Sequence, residues 1–568
     1  MRIKVTTMNI ASLQKELGRI PNDIEKAFFK AFWKSNQLQS VFDSEVSQSE
    51  IPSNDTKLMT IVAQSSSDPR NRIADNTLHA LNGKKIASLL RKDGSFTLGI
   101  LPSQDRHQSK MVHHLYFLYG SNLKGMARSL YQEDWFEAAI PINKAGLGHA
   151  LFRMLKDYEC GLKWTIETQK DLTMLSRKGI NGILILLNRN PSIDFNNLSK
   201  KHKCNYMDLG QISKGKNIDL IQNDQSVGHI PLTVLNNIVN QNSNIDELKI
   251  QTSVTTKPAT SLNEKKRYNK ELITLMKEGV EIDDLQFSQQ HITTRGHIAI
   301  IPNSGILYGL AVNNNETKYY QDYLMKSVSA IANSSRQLAC AGIRPKVCSG
   351  IVKVSDSKPK NKGSYLKGIK DAGKFLNLSI DHLSFEKGHQ DISGEFCSGG
   401  VGINNELFPD IFPQSNLFIS MLGSHRGELG GSRFLSLVNQ ENTGLQPIVD
   451  LSMESRLQET ILTSIQGGLI QSARDVGSGG LAISIAKSFG KHTQLGARIH
   501  VSRKLKVYEL LFGETQGLVI VTIKETDLME FERVCMTIGI PATTIGRVTD
   551  DGIFSFNDLI KLNIKDIN

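Results

Sequence analysis

The sequence predicts an α/β protein made of two related halves, and three observations carry that prediction. The first is a glycine turn entering a helix, Ser472-Ala473-Arg474-Asp475-Val476-Gly477-Ser478-Gly479-Gly480-Leu481-Ala482, with Leu481, Ile485 and Phe489 at helical spacing. The second is the apolar run 518–523, introduced by Gly513-Glu514-Thr515-Gln516-Gly517 and long enough for a buried strand. The third is a degraded copy of both pieces upstream. Ala145-Gly146-Leu147 lines up with Gly479-Gly480-Leu481, Gly182-Ile183-Leu184-Ile185-Leu186 with 517–521, and Leu209-Gly210-Gln211-Ile212 with 545–548. The three offsets are all about 335 residues and keep the same order, which marks an internal duplication.

The glycines let the backbone approach a partner closely, and the helix start offers free N–H groups to an anion. A phosphate site and plain packing are both compatible with such a turn. In the upstream copy the polar positions are gone: Asp475 faces Pro141, Glu514 faces Gly179 and Gln516 faces Asn181. The apolar frame persists without its acids, as expected of a half kept for packing.

Composition sets the outer bounds. With 568 residues and 39% hydrophobic content, the chain should hold several domains with real cores. No apolar run approaches membrane-spanning length, and Met1-Arg2-Ile3-Lys4 is not followed by a signal-peptide core, so a cytoplasmic protein is expected. Six cysteines (Cys160, Cys204, Cys340, Cys348, Cys397 and Cys535) are scattered without metal spacing, which suits reduced thiols. The net charge of +11 is spread among Asn, Gln and Ser rather than gathered in a stripe. It points to a phosphorylated small molecule or nucleotide, or to solubility, and not to nucleic acid or a membrane.

In chain order, Ile3-Lys4-Val5 is strand-like, and Pro21-Asn22-Asp23 caps a helix whose apolar face is Ile24, Ala27, Phe28, Ala31 and Phe32. Residues 43–76 are rich in Ser and Asn and read as a loop or disordered connection. Phe96-Thr97-Leu98-Gly99-Ile100 reads as the opening of the first α/β unit, and 240–270 as a polar linker. The second half starts with strand-like runs at 297–302 and 305–312. A long helix is expected over 320–341, stopping at Gly342 with Pro345 beyond.

The glycine turn and the Gly513–Gly517 segment together resemble phosphoribosylformylglycinamidine synthase (formylglycinamide ribonucleotide amidotransferase) of the small synthetase-subunit type. This is the ATP-dependent ligase of purine synthesis, in the aminoimidazole ribonucleotide synthetase-like superfamily. Leu422-Gly423-Ser424, Gly427-Glu428-Leu429-Gly430-Gly431-Ser432-Arg433-Phe434 and Thr544-Ile545-Gly546-Arg547-Val548-Thr549-Asp550 extend the likeness, which is strongest over 320–555. Leu17-Gly18-Arg19-Ile20-Pro21-Asn22 and Phe32-Trp33 resemble the family's N-terminal helix.

The resemblance implies duplicated halves, each pairing a β-sheet subdomain of a dimer-like barrel with an α/β subdomain. The implied boundaries are 1–42 for an N-terminal helical segment, 43–95 for a truncated first β subdomain and 96–240 for a degenerate first α/β subdomain. A linker over 241–270, a second β subdomain over 271–394 and a second α/β subdomain over 395–568 complete the division. The implied chemistry is phosphorylation of an amide oxygen by ATP, then attack by ammonia to give an amidine. It uses Mg²⁺-bound ATP, a histidine near the amide and donors for the substrate phosphate. No glutaminase domain follows, so ammonia would come from a separate glutaminase subunit. Nucleotide or phosphate contacts carry over to Gly477, Ser478, Gly479, Gly480, Glu514, Gln516, Gly430 and Ser432.

The departures are as telling as the matches. The family's Trp-Ser-Glu-His-Cys becomes Trp33-Lys34-Ser35-Asn36-Gln37, so its histidine falls on Asn36, which does not titrate near neutral pH. The Glu-Ser-His-Asn-His-Pro signature and the next glycine-rich segment are missing. The gap of about 50 residues before Phe96 is too short for a usual subdomain of roughly 100. The Glu and Asn that hold Mg²⁺ in the family fall on Asn333 and Gln337, which leaves Asp475 as the metal-binding acid with weakened partners. The loop Asp381-His382-Leu383-Ser384-Phe385-Glu386-Lys387 matches its family counterpart only in part.

Three functions fit, and whether the chain is an enzyme stays open between them. The departures favour a diverged synthase-like protein with impaired or lost turnover, keeping at most a residual nucleotide or phosphate site, with Mg²⁺ and ATP or ADP as its ligands. An active amide-to-amidine ligase would need His79, His382 or His389 in the missing role. A scaffold without ligand is the third. Other reactive-looking residues read as structure: Cys397 lacks the spacing of a glutaminase elbow, and His113-His114 lacks a third ligand and suits a strand edge. Glu428 and Asp450 lie in polar loops as solvated carboxylates.

Overall fold

The structure is a computed structural model that describes, with short interruptions, residues 10–36, 56–64, 84–102, 113–235, 262–277, 286–313, 322–386 and 391–567. The strand expected at Ile3-Lys4-Val5 and most of the 240–270 linker lie outside these residues. Two helices come first, α1 (Ile10–Leu17) and α2 (Asp23–Asn36). Asn22 starts α2 with a reciprocal cap: its Oδ1 accepts the Glu25 N–H at 2.9 Å, and Glu25 Oε2 accepts the Asn22 N–H at 3.0 Å. Phe28, Phe29, Ala31 and Phe32 are buried, which is the predicted apolar face widened by Phe29.

A small antiparallel sheet follows, made of β1 (Thr56–Gln64), β2 (Lys84–Arg91) and β3 (Gly94–Pro102), with β3 between the other two. It corrects two expectations. Residues 56–64 were expected in a loop, yet Leu58-Met59-Thr60-Ile61-Val62 pairs along β3 in register from Thr56↔Pro102 to Gln64↔Gly94. Residues 96–100 were expected to open the α/β unit, yet they lie in β3 of this sheet. The physical reason is burial. Leu58, Phe96 and Leu98 form one core with Tyr308, Leu310, Val312, Val347, Ile351 and Cys397 of the second half's sheet.

The first α/β unit contains β4 (His114–Gly120), β5 (Phe136–Pro141), helix α3 (Leu147–Asp157), β6 (Gly161–Thr165), β7 (Gly182–Leu187), β8 (Cys204–Ser213), β9 (Asn217–Gln222) and β10 (Gln225–Pro231). A helix does begin at Leu147, with Ala145 and Gly146 of the copy outside the described residues, and the apolar copy is β7, buried throughout. After the two-residue β11 (Gln286–Phe287), which pairs with β2, come β12 (Thr293–Arg295), β13 (Ile298–Asn303) and β14 (Ile306–Val312). The long helix α4 (Tyr323–Cys340), β15 (Ile343–Lys353), helix α5 (Pro359–Phe375), β16 (Ser379–Glu386) and β17 (Ser393–Gly402) complete a six-stranded sheet carrying two helices.

The second α/β unit runs β18 (Phe418–Leu422), α6 (Arg433–Leu437), α7 (Leu451–Gln466), β19 (Ser472–Asp475), α8 (Gly480–Lys487), β20 (Gly496–Ile499), α9 (Val507–Phe512), β21 (Val519–Ile523), α10 (Leu528–Ile538), β22 (Ala542–Thr549), β23 (Ile553–Phe556) and β24 (Ile560–Asn563). Its sheet order is β19-β21-β18-β22-β20-β23-β24, and that of the first unit is β5-β7-β4-β8-β6-β9-β10. Strand by strand these are the same topology. In each, one contact is parallel (β6 with β9, β20 with β23) and every other is antiparallel. A shared order with one parallel contact at the same place is the structural form of the offset of about 335 residues.

Candidate functional site

The glycine turn is built by two close approaches. Gly480 has φ +77°, and a Cβ there would lie 2.6 Å from the Phe512 carbonyl carbon and 2.7 Å from its Cα, so only glycine lets α8 start against the end of α9. Gly479 donates its N–H to Glu514 Oε1 at 2.8 Å, and the same oxygen accepts the Arg433 N–H at 2.9 Å. The amide expected to face a phosphate therefore faces the protein's own carboxylate. Burial pushes the Glu514 carboxyl above its ordinary pKa, opposed by these two amides and by the charges of Arg433 and Lys487. Gly477 accepts the Gly480 N–H at 3.1 Å, and Ser478 is partly exposed at the bend. Gly430 donates to Leu445 O at 2.7 Å, and Ser432 Oγ caps α6 by accepting the Leu435 N–H at 3.2 Å. Both hold the loop in shape.

The side chain of Lys487, at the far end of α8, has no hydrogen bond or ion pair among the described residues, though its carbonyl accepts the Gly490 N–H at 3.2 Å. Burial, with Arg433 and Arg474 nearby, lowers its pKa to about 8, and Glu514 opposes the drop. Arg474 is itself held by Asp410 Oδ2 at 2.6 Å, and Arg433 Nη2 donates to Leu275 O at 2.7 Å. This end of the turn has cations in excess.

The opposite end is an acid cluster around Asp475. Asn333 of α4 donates to Asp475, and Gln337 reaches it only through Asn333. The surprise is Arg336, fully buried beside them. Its Nε donates to Asp475 Oδ1 at 2.5 Å, Nη1 to Glu454 Oε2 at 2.6 Å and Nη2 to Gln516 Oε1 at 3.0 Å. Gln458 Nε2 donates to the other Glu454 oxygen at 2.9 Å. The second Asp475 oxygen accepts Asn333 Nδ2 at 3.1 Å, and Asn333 Oδ1 in turn accepts Gln337 Nε2 at 2.8 Å. Desolvation works against the charge on Arg336, but Asp475 and Glu454 outweigh it and hold the guanidinium charged.

A hard cation needs several oxygens, carboxylate ones above all. Here both Asp475 oxygens and the Asn333 oxygen already accept hydrogen bonds, and Gln337 Oε1 is the one buried acceptor of the set without a partner. The residues do not fit Mg²⁺. As placed, Asp475 is engaged by side-chain donors on both oxygens rather than open to a metal.

Comparison with known proteins agrees with this frame. Residues 418–558 match the family described as AIR synthase related protein, C-terminal domain. A curated relative, phosphoribosylformylglycinamidine synthase subunit PurL of Alkaliphilus metalliredigens, is 24% identical over 394 residues, which cover 64% of this chain and 53% of the relative. The chain thus matches about half the length of that relative. Among solved structures, Thermotoga maritima PurL complexed with ATP superposes with a TM-score of 0.54 at 12% identity, covering 95% of this chain and 99% of that one. The same protein complexed with FGAR gives 0.50 at 11% identity over the same shares. The chain has the fold of PurL, and its residues 418–558 are similar to the AIR synthase C-terminal domain.

Within this PurL-like frame, several residues that sequence reasoning missed do the structural work. Arg336, Glu454, Gln458 and Lys487 were not among the expected site residues, and Glu428 was misread. Glu428 is buried, not solvated: it accepts Arg426 Nε at 2.8 Å and the Thr515 hydroxyl at 2.6 Å, pinning the 424–430 loop to the segment before β21. Asp450 is exposed as expected, and it also caps α7 through Ser452 and Met453 N–H. Between these groups lies a cleft of about 120 Å³ lined by Ser424, Arg426, Asp450, Met453, Glu454 and Gln516.

The remaining candidates are dispersed. His79 and His389 lie outside the described residues, and His382 lies in β16. Asn36 is the last residue of α2. Cys397 is closed inside β17 with no exposed surface. His114 opens β4, a central strand rather than an edge, with His113 just before it, and burial lowers both pKa values. Among the described residues no cluster of three His, Cys, Asp or Glu could hold a metal ion, and no helix is long and apolar enough to cross a membrane.

Proposed function

We propose that this PurL-like chain serves purine biosynthesis through binding, with synthase turnover impaired or lost, and that it keeps one anion site for a nucleotide or phosphorylated metabolite. The observation that carries the reading is the asymmetry about the glycine turn. Its acid side is closed by Arg336, while its cationic side leaves Lys487 unpaired beside Arg433 and Arg474. A site with surplus cations and no metal-ready acids suits holding phosphate better than activating it. Asn36, at the position where the family carries its histidine, adds to this, since it offers no titratable group. The solved PurL with ATP and with FGAR names the two ligand classes to try first.

The test has two arms. In the first, ATP consumption and amidine formation are followed with FGAR as substrate and ammonium as nitrogen donor, and no FGAR-dependent turnover is expected. In the second, thermal shifts are measured with ATP, ADP and inorganic phosphate in excess EDTA. The phosphate-bearing ligands should raise Tm, and Lys487→Met should remove that rise. FGAR-dependent turnover would restore the active-ligase reading. No shift with any ligand would leave a scaffold.

A further inference from the structure

We propose that the side chains of Arg336, Asn333 and Gln337 do on Asp475 what a divalent cation would do, so that the joint between the long helix and the second α/β unit forms without metal. The inference is independent of whether any turnover survives. It starts from the donor count. Asp475 is approached from α4 on both oxygens, by Arg336 Nε at 2.5 Å on Oδ1 and by Asn333 Nδ2 at 3.1 Å on Oδ2. Because Asn333 must donate to Oδ2, its own oxygen is turned away, and that oxygen is capped by Gln337 Nε2 at 2.8 Å. The amides run head to tail into the carboxylate, each fixing the orientation of the next.

A cation at this place would have to displace Asn333 from Oδ2 and reverse both amides. It would also sit beside a guanidinium that cannot lose its proton. The ion's usual role of cross-linking is already filled. Arg336 alone joins α4 to β19 through Asp475, to α7 through Glu454 and to the segment before β21 through Gln516. Gln458 extends the same network back to α4 by donating to Ser335 Oγ at 2.9 Å. The side chains of Arg336 and Glu454 are 0% and 1% exposed, so this joint has the low-dielectric setting in which an internal cation is strongest.

The experiment uses the full chain, with Mg²⁺ and Mn²⁺ themselves as probes. The parent protein should melt at the same temperature in excess EDTA, MgCl₂ and MnCl₂, and should bind no Mn²⁺ detectable by electron paramagnetic resonance. Asn333→Glu replaces the donating amide with a second carboxylate beside Asp475. That variant should melt below the parent in EDTA, recover with either metal and bind one Mn²⁺, and adding Asp475→Asn should abolish the binding. A parent Tm that falls in EDTA, or a Mn²⁺ held by the parent and lost in Asp475→Asn, would overturn the proposal. So would an Asn333→Glu protein that folds normally and ignores metal. Should that variant not fold, the parent measurements decide alone. Loss of this proposal would leave the anion site at Lys487 untouched, since that site is read in EDTA.

Discussion

Arg336 Nη1 donates to Glu454 Oε2 at 2.6 Å, and neither side chain reaches solvent. Desolvation raises the Glu454 pKa and the Arg336 charge pulls it back, so each group depends on the other. Removing the cation alone, with Arg336→Met, leaves Glu454 and Asp475 buried without compensation and should cost about 3–5 kcal/mol. Glu454→Gln keeps an acceptor for Arg336 and should cost about 1–2 kcal/mol. Joining the two substitutions should cost clearly less than their sum. Urea denaturation of the four proteins reads the coupling, and strict additivity would show that the pair is not a unit.

A second prediction separates backbone strain from crowding. Gly480 and Gly468 both have positive φ, +77° and +68°, but a Cβ on Gly468 meets nothing within 4 Å while one on Gly480 strikes the Phe512 backbone. Gly468→Ala should cost about 1 kcal/mol, from conformation alone. Gly480→Ala should cost about 3 kcal/mol or more, because α8 and α9 must also move apart. Equal losses in Tm for the two variants would mean that α9 yields easily and that the close approach does not hold the turn.

How far the sequence reached follows from which forces act locally. The duplication was legible because Gly182 opens one apolar strand and Gly517 comes just before the other, at the same place in both units, and strand patterns are local. The assignment of 96–100 failed because an alternating strand looks alike in either sheet, and its partners, here β1 and β2, are chosen by register and by the core around Phe96. At the site, Asn333, Gln337 and Asp475 were placed together by family spacing. Arg336, one residue from Gln337, was overlooked because α4 is buried along most of its length, so helical periodicity does not distinguish an outward arginine from an inward one. Glu514 was expected to bind a ligand, yet it caps Gly479 from 35 residues away.

The N-terminal helix offers a third test. Glu25 is buried and accepts Arg19 Nη1 and Nη2 at 2.8 and 2.6 Å and the His229 N–H at 2.9 Å, besides the Asn22 N–H that caps α2. One carboxylate thus fastens α2 to β10 while also starting the helix. Glu25→Ala should cost about 2–4 kcal/mol, since it leaves donors without partners. Arg19, about half exposed, should cost about 1 kcal/mol or less when cut to Ala. Hydrogen exchange should show faster exchange in α2 and β10 of Glu25→Ala and unchanged exchange in β19 and β21. Uniform loss across the chain would mean that α2 is part of one cooperative unit with the second half.

The last prediction concerns Lys487 and pH. Its pKa falls from 10.5 to about 8 through burial, with Arg433 and Arg474 adding to the drop. A base whose folded pKa is lowered binds fewer protons when folded than when unfolded between those two values. Stability must therefore rise with pH through that window, and the contribution is lost as pH falls through the folded value. At pH 7 the folded chain carries a charge it would release if it could, at a cost of at most about 3.4 kcal/mol. The partial exposure of the side chain reduces this, so Lys487→Met should stabilise the ligand-free protein by about 1–2 kcal/mol at pH 7. The gain should shrink steadily above about pH 8 and vanish only above about 10.5, where the parent lysine is neutral in both states. Urea denaturation of the two proteins at several pH values in phosphate-free buffer measures the difference. A gap that stays constant from pH 7 to 10 would show that Lys487 keeps an ordinary pKa and that the cations around the turn do not crowd it. That result would also remove the electrostatic reason for an anion to bind there.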